Sequence, residues 1–536
     1  MNSKVYIKDW LALKPYDKQT ATDIYYLGIC NKVKKALISN RYSLLMQQVL
    51  NKNDTNMLAC FLTSYLEDLI SGTNIWRSFV KMHLKMYQKQ LPFYELNHYV
   101  EEEINVEDIY LLMWYFLNSI QRDRIISPFN EYIIEVADVI IDIFDNVWEY
   151  APENNYLKTF YEIDEHEDDF YVARKLIDTL LFKTYLFYPD SALSLQKLEE
   201  EIFEKYKDEN LLMYLNENRD ITLHYTYTRL LSLKGRDWIT EILGQEHSLY
   251  NDYLNISKKV VSFFLYKGQD DSTIFLEHVA TGMKFDLTKK SFDHADTLKV
   301  VDTILYLGIV KWKDEWWFSG IYFQTPYDAK LVADEKNSLE SRSAVNFVDP
   351  RTKDNDEMMK NQLSVFKELN NGKQIAFMPL VKINKFIKDY TEAYNNSLKL
   401  SKKEQKETIE RANADGFFGK TDNHIDFPEG EETGLVFFNE KSGVEVALGL
   451  NAAFPLSWNP FYNEEESDEH VWYLMTEAHL SKELTMYCID NCKDKLPFFK
   501  TNIGQIYLKD IDFVLRFWKK RNYYSEPLIT HTGKIR

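Results

Sequence analysis

The sequence predicts a multidomain α+β protein. A large all-α domain is expected over residues 1–250, a small five-stranded antiparallel β-barrel of the SH3 or OB kind over 256–325, and an α+β region over 326–536. Three observations carry this. Apolar residues recur at helical spacing up to about residue 250, the period shortens to two between Lys258 and Tyr322, and helix and strand patterns mix after Pro326. The chain is also poor in breakers: 17 Gly and 13 Pro in 536 residues are roughly half the usual ~7% and ~5%.

In the helical part the clearest segment runs from Ser127 to about Tyr150, with Ser127 as cap and Pro128 at the first helical position. There Ile133, Ile134, Ala137, Ile140, Ile141, Phe144, Val147 and Trp148 form one broad apolar face. After Asn105, the residues Ile109, Leu112, Trp114, Phe116, Leu117 and Ile120 are so crowded that this helix is expected to be covered on more than one side. Further helices are predicted near 20–38, 42–52, 57–70, 170–187 and 191–206.

Five strands follow: Val260–Tyr266, Thr273–Val279, Met283–Leu287, Thr303–Trp312 and Trp316–Phe323, joined mostly by short polar turns. After them a loop is expected to Pro350, then a helix over Asp354–Leu369 stopped by Asn370-Asn371-Gly372. A charged helix is expected over Ser397–Ala414 and a hairpin over Leu435–Phe438 and Val444–Leu450. Three helices close the chain, after Ser467, Ser481 and Asp510.

Composition narrows the function classes. Sixty-four basic against 83 acidic side chains give a net charge of −19, and the acidic excess extends over both halves, so nucleic-acid contact is expected only locally. Four cysteines are too few for a disulfide framework. With no apolar segment long enough for a signal or a span, the chain reads as cytoplasmic, without membrane contact.

Few motifs survive their context. Ala414–Thr421 fits a relaxed phosphate-loop pattern, but a charged helix precedes it and Phe417 and Phe418 sit inside it. Arg219-Asp220-Ile221-Thr222-Leu223-His224 resembles the active motif of the HEPN ribonucleases. The resemblance implies His224 as base and Arg219 as phosphorane stabiliser. The acidic run Glu162–Asp169 lacks the turn a metal loop needs and reads as a solvated connection with Asp168 or Asp169 near a helix start. Neither Glu477-Ala478-His479 with His470, nor Cys488 with Cys492, has zinc-ligand spacing, and Asp334-Glu335-Lys336 lacks an upstream carboxylate. No metal or cofactor is predicted. The basic cluster Arg516, Lys519, Lys520 and Arg521 suits a helix C-terminus.

Several segments resemble an uncharacterised family of large cytoplasmic bacterial proteins, a domain of unknown function. They are Ile7–Leu11 with Lys14-Pro15-Tyr16, Tyr65–Asp68 with Gly72 and Ile75-Trp76-Arg77, and Ala151–Asn154; the likeness lies chiefly in the helical half, with a further trace at Asn459–Tyr462. The resemblance implies no reaction. Among these residues Glu67, Asp68, Trp76 and Arg77 form either an acidic and aromatic surface or an internal bridge anchoring Arg77, and the bridge is favoured. The leading functional reading is a non-catalytic protein-interaction or scaffold protein whose partner is another protein. The alternatives are a metal-independent ribonuclease using Arg219 and His224, and single-strand binding through barrel aromatics Trp312, Trp316, Trp317 and Phe318 beside Lys311 and Lys313. Packing of these rings inside the barrel is the plainer expectation.

Overall fold

The structure is a computed structural model that describes residues 4–43, 48–96, 98–121, 125–207, 210–345, 352–398, 400–404, 406 and 432–525. Two compact units divide the chain. One holds Met1–Ser257 with Trp312–Asp314, and the other holds Lys258–Lys311 with Glu315–Arg536.

The first unit is helical: α1 (Ile7–Leu11), α2 (Ala21–Ser39), α3 (Lys52–Ser71), α4 (Ile75–Tyr87), α5 (Val106–Ile120), α6 (Glu131–Trp148), α7 (Asn155–Lys158), α8 (Phe170–Lys183), α9 (Leu193–Lys205), α10 (Leu211–Tyr225), α11 (Gly235–Leu243) and α12 (Tyr250–Leu254). Side-chain caps start several of them. Thr20 and Asp23 form a reciprocal capping box on α2, and Asn51 and Asp54 form another on α3. Helix α3 ends where Gly72 takes a left-handed φ of 62°, a conformation that costs glycine nothing. Helices α3 and α5 lie deepest: α5 is buried without a break from Leu111 to Asn118, as its crowded apolar sequence demands.

Some boundaries differ from the sequence expectation. Helix α6 begins at Glu131, because the Asn130 side chain accepts from the Tyr132 N–H, while Ser127 and Pro128 lie in the preceding turn. The helix expected over 42–52 does not extend to its end, since residues 48–50 are irregular and Asn51 is already the cap of α3.

The second unit opens with β1 (Val260–Gln269), β2 (Thr273–His278), β3 (Lys284–Thr288), β4 (Ile304–Trp312, its last residue counted with the helical unit) and β5 (Glu315–Thr325). They close in the order β1-β2-β3-β5-β4, with β1 antiparallel to β4 and β3 parallel to β5 at Leu287 and Trp316. This is the Greek-key barrel of the OB kind. Alternate residues Val260, Phe264, Ile274, Leu276, Phe285, Leu287, Leu305, Leu307 and Ile309 fill it. One polar group is sealed at its wall: the buried His278 ring bonds Ser262 Oγ and Thr281 Oγ1, both at 2.8 Å. Desolvation holds its pKa down to about 4.

Where a loop was expected between Pro326 and Pro350, there are two short helices, α13 (Ala329–Asn337) and α14 (Leu339–Ser343). Asp328 caps α13, and Val332 is its one buried residue, so no apolar stripe advertises it. Helix α15 (Thr352–Leu369) ends as expected, with positive φ at Asn371 and Gly372. Next come β6 (Ile375–Pro379) and α16 (Leu380–Ser397), neither assigned from sequence. Strands β7 (Thr433–Asn439) and β8 (Gly443–Leu448) complete an antiparallel sheet ordered β6-β7-β8. Phe366 of α15, Ile383 and Ile387 of α16, and Val436 and Phe438 of β7 share one core, while Phe437 turns the other way onto Tyr487. Strand β7 is therefore buried on both faces, which explains its unbroken apolar run. The last helices are α17 (Ser467–Thr476), α18 (Lys482–Cys492, capped by Ser481), α19 (Asn502–Lys509) and α20 (Ile511–Lys519). The charged helix expected over Ser397–Ala414 and the phosphate-loop match at Ala414–Thr421 fall largely or wholly outside the described residues.

Gly308 marks the tightest approach in the barrel. A Cβ there would stand 2.2 Å from the Ser319 carbonyl oxygen and 2.5 Å from Lys259 Cε, whereas one at Gly28, on the exposed side of α2, meets nothing within 4 Å. Gly308→Ala is expected to destabilise the barrel by about 1–3 kcal/mol and Gly28→Ala to stabilise the helical unit by about 0.5–1 kcal/mol. Urea unfolding followed by circular dichroism reads both, and equal effects of the two substitutions would contradict the packing described.

Candidate functional site

The segments singled out at the N-terminus, on α3 and before α7 meet in one buried polar network. Lys14, 5% exposed, places its ammonium against the Glu67 carboxylate, 3.1 Å from Ser64 Oγ and 3.9 Å from the centroid of the Trp10 ring. The other Glu67 oxygen accepts from Asn154 Nδ2 at 2.9 Å. That same amide lies 2.9 Å from the Tyr16 hydroxyl, which donates to Asp23 Oδ1 at 3.0 Å. Trp10 Nε1 donates to Asp23 Oδ1 at 2.8 Å. Asn154 also caps α7 through the Leu157 N–H, and its own N–H donates to Ser71 Oγ. Each buried acid here thus has donors, as burial of a charge requires.

Asp68, next along α3, does different work. Its carboxylate accepts from Thr73 Oγ1, from the Ile75 and Trp76 N–H groups at 3.2 and 2.7 Å, and from the Tyr185 hydroxyl at 2.8 Å. The end of α3 therefore satisfies the start of α4. A third acid, Asp108 on α5, accepts from the hydroxyls of Tyr65 at 2.7 Å and Tyr99 at 3.0 Å. Desolvation raises its pKa to about 7, opposed by the hydrogen bonds from Tyr65 and Tyr99.

The residues predicted as a binding surface here are placed otherwise. Glu67 is 0% exposed and Asp68 and Trp76 are 2% exposed, which leaves them no outer face. An internal bridge exists, yet its cation is Lys14; Arg77 instead pairs with Glu102 at 2.9 Å and with Asn74 Oδ1 at 3.1 Å. Sequence reasoning passed over Lys14 as a partner because it lies 53 residues from Glu67.

Arg219 and His224 share α10 but serve different neighbours. Arg219 makes two bonds to Asp178, at 2.7 and 2.8 Å, stands 3.7 Å from Glu199 and covers the Phe182 ring. These bonds to Asp178 raise its pKa further. The His224 ring stacks on Phe170, with Nε2 3.7 Å from Asp220 Oδ1. In the barrel, Trp317 is buried and Trp316 packs edge-on against Phe285 of the core. Trp312 is fully buried against Tyr253 and Phe170 of the helical unit. The acidic run forms local caps, Asp169 receiving the Tyr171 N–H at the start of α8. In the basic cluster, Lys519 is buried and donates to the Leu474 and Glu477 carbonyls, and Arg516 lies against Tyr523. No three His, Cys, Asp or Glu side chains gather as a metal site among the described residues.

One cleft of about 420 Å³ opens in the helical unit beside the Asp68 cap. Gly72, Thr73 and Asn74 of the α3–α4 turn line it, as do Lys158, Tyr161, Glu162, Ile163, Glu165, Ile242 and Leu243 at the end of α11, and His247. His247 Nδ1 accepts from the Leu249 N–H at 3.2 Å and Nε2 faces the Ile163 carbonyl at 3.4 Å, which ties one wall to the other.

Residues 4–280 match the family described as Protein of unknown function (DUF3843). The chain belongs to the DUF3843 family. The matched span holds the whole buried network and the cleft, and runs on through β1 and β2 of the barrel. No curated protein and no solved structure matches the chain.

Two consequences of the DUF3843 network are measurable. Lys14→Met strands Glu67 without its cation and is expected to cost about 3–5 kcal/mol, with Lys14→Met/Glu67→Gln recovering about half of the loss; urea titration of the three proteins decides it. Asp108 holds its proton more tightly folded than unfolded, so its contribution to stability declines as pH rises from about 4 towards 7. Over that interval wild type should lose on the order of 3 kcal/mol relative to Asp108→Asn, and parallel pH profiles for the two proteins would refute the assignment.

Proposed function

We propose that this protein acts by binding another protein rather than by catalysis, and that the α9–α10 hairpin is its contact surface. The observation that carries the reading is the state of α10. Its first half reads Leu211-Leu212-Met213-Tyr214-Leu215, yet only Asp220 and Leu223 of the 15-residue helix are buried. Leu212 is 72% exposed, and Phe203 on α9 is 53% exposed. Tyr206 and Tyr214 stack at 4.1 Å where the two helices join.

Leaving such side chains in water forgoes about 1.5–3 kcal/mol each. An apolar helix face of this kind is what a partner's groove takes up. Exposed Glu200, Glu201 and Glu204 flank Phe203 on α9. The fitting partner is an apolar groove with a basic rim. A cytoplasmic setting suits the four cysteines, all free and buried, and among the described residues no helix is long and apolar enough to cross a membrane.

The ribonuclease reading has less support, because Arg219 spends its guanidinium on Asp178 and Glu199. Single-strand binding has less again. Of the aromatic residues on β2 and β3, Phe275 is 38% exposed, and its cross-strand neighbour is Asp286.

Leu212→Glu combined with Phe203→Glu should leave the circular dichroism and melting temperature unchanged while abolishing a stoichiometric complex that wild type forms in native extracts. An unaltered set of partners on size exclusion with mass spectrometry would defeat the proposal.

A further inference from the structure

We propose that the cleft beside the α3–α4 turn is a binding site for a primary alkylammonium group. Its volume of about 420 Å³ lies within the ~300–1,000 Å³ of small-ligand sites. The walls are electrically lopsided. Gly72 terminates α3, and Ile242 and Leu243 are the last residues of α11, so the negative ends of two helices meet the cavity. Glu162 and Glu165 add two exposed carboxylates, against the single ammonium of Lys158.

Apart from Lys158, the groups that would otherwise favour an anion are already occupied. Helix α4 starts at the same wall, but its Ile75 and Trp76 N–H groups donate to the Asp68 carboxylate. His247 accepts the Leu249 N–H at Nδ1 and directs Nε2 at the Ile163 carbonyl rather than into the cavity. Ile163, Ile242 and Leu243 offer half-buried apolar surface against which methylenes can lie while the charged end meets the glutamates. A cation on a short alkyl stem satisfies both features. Free diamines and lysine side chains share that chemistry.

The test is calorimetric titration of the full-length protein with 1,4-diaminobutane and with Nα-acetyl-lysine amide, using butan-1-ol and sodium acetate as neutral and anionic controls. Saturable binding of at least one amine and of neither control is expected; the tighter amine identifies the source as a free diamine or a peptide lysine. Glu162→Gln/Glu165→Gln should weaken that binding about tenfold or more, and Lys158→Met should strengthen it. These side chains are exposed, so the variants should keep the wild-type melting temperature. The assignment is overturned if neither amine binds at millimolar concentration, if butan-1-ol or acetate binds as well, or if the glutamine variant binds like wild type. The hairpin variants at Leu212 and Phe203 should leave amine binding intact, which separates this site from the proposed protein contact.

Discussion

The ion pair of Lys14 with Glu67 is the constraint from which the helical unit is organised. Both side chains are almost wholly removed from water, a transfer that is recovered only when the charges face each other and every remaining polar atom finds a partner. Here the remaining partners come from far along the chain. Asn154 reaches Glu67 across 87 positions and Tyr16 across 138. Satisfying one pair therefore fixes the approach of α1, α2, α3 and α7 simultaneously. Apolar packing alone would tolerate small slips between such helices. A network of directed bonds does not, because any slip strands a buried charge.

Asp68 extends the same logic by one residue. Its neighbour on α3 looks inward to the network, whereas Asp68 receives the turn and the first N–H groups of α4. The turn so held forms one wall of the cleft. A wall fixed by buried hydrogen bonds needs no ordering when a ligand arrives, so the entropic cost of association falls mainly on the ligand. The buried network and the open cleft are thus successive layers of one construction, the inner one holding a wall of the outer.

Patterns that depend on near neighbours could be read from the sequence, and those that depend on distant ones could not. The five barrel strands appear almost residue for residue, since alternation and polar turns are local signals. So do the Ser481 cap and the Asn371–Gly372 stop. Strand β6 and helix α16 escaped because Pro379 ends one and caps the other, so a periodicity window spans two different periods. Helix α13 escaped because it buries a single side chain. For the site, the segments around Trp10, Lys14, Glu67 and Asn154 were visible as resemblances, but their partners were not. Sequence proximity offers Glu67 and Asp68 to Arg77, whereas burial gives Glu67 the cation that leaves water with it, Lys14, and Arg77 keeps to the half-buried edge with Glu102.

The barrel shows why fold and function must be argued separately. Its closure order and its parallel β3–β5 pair place it with barrels that often hold single-stranded nucleic acid. That use needs stacked bases beside positive charge. On β2 and β3, Phe275 stands opposite Asp286 and Glu277 opposite Lys284, and the β1–β2 turn carries Asp270 and Asp271. The aromatic rings that suggested stacking are spent on packing: Trp316 and Phe318 lie against the barrel core, Trp317 is buried, and Trp312 belongs to the helical unit. In this chain the aromatic excess therefore mainly builds interiors. Phe203 on α9 and Leu212 on α10 are among the apolar side chains that remain in water.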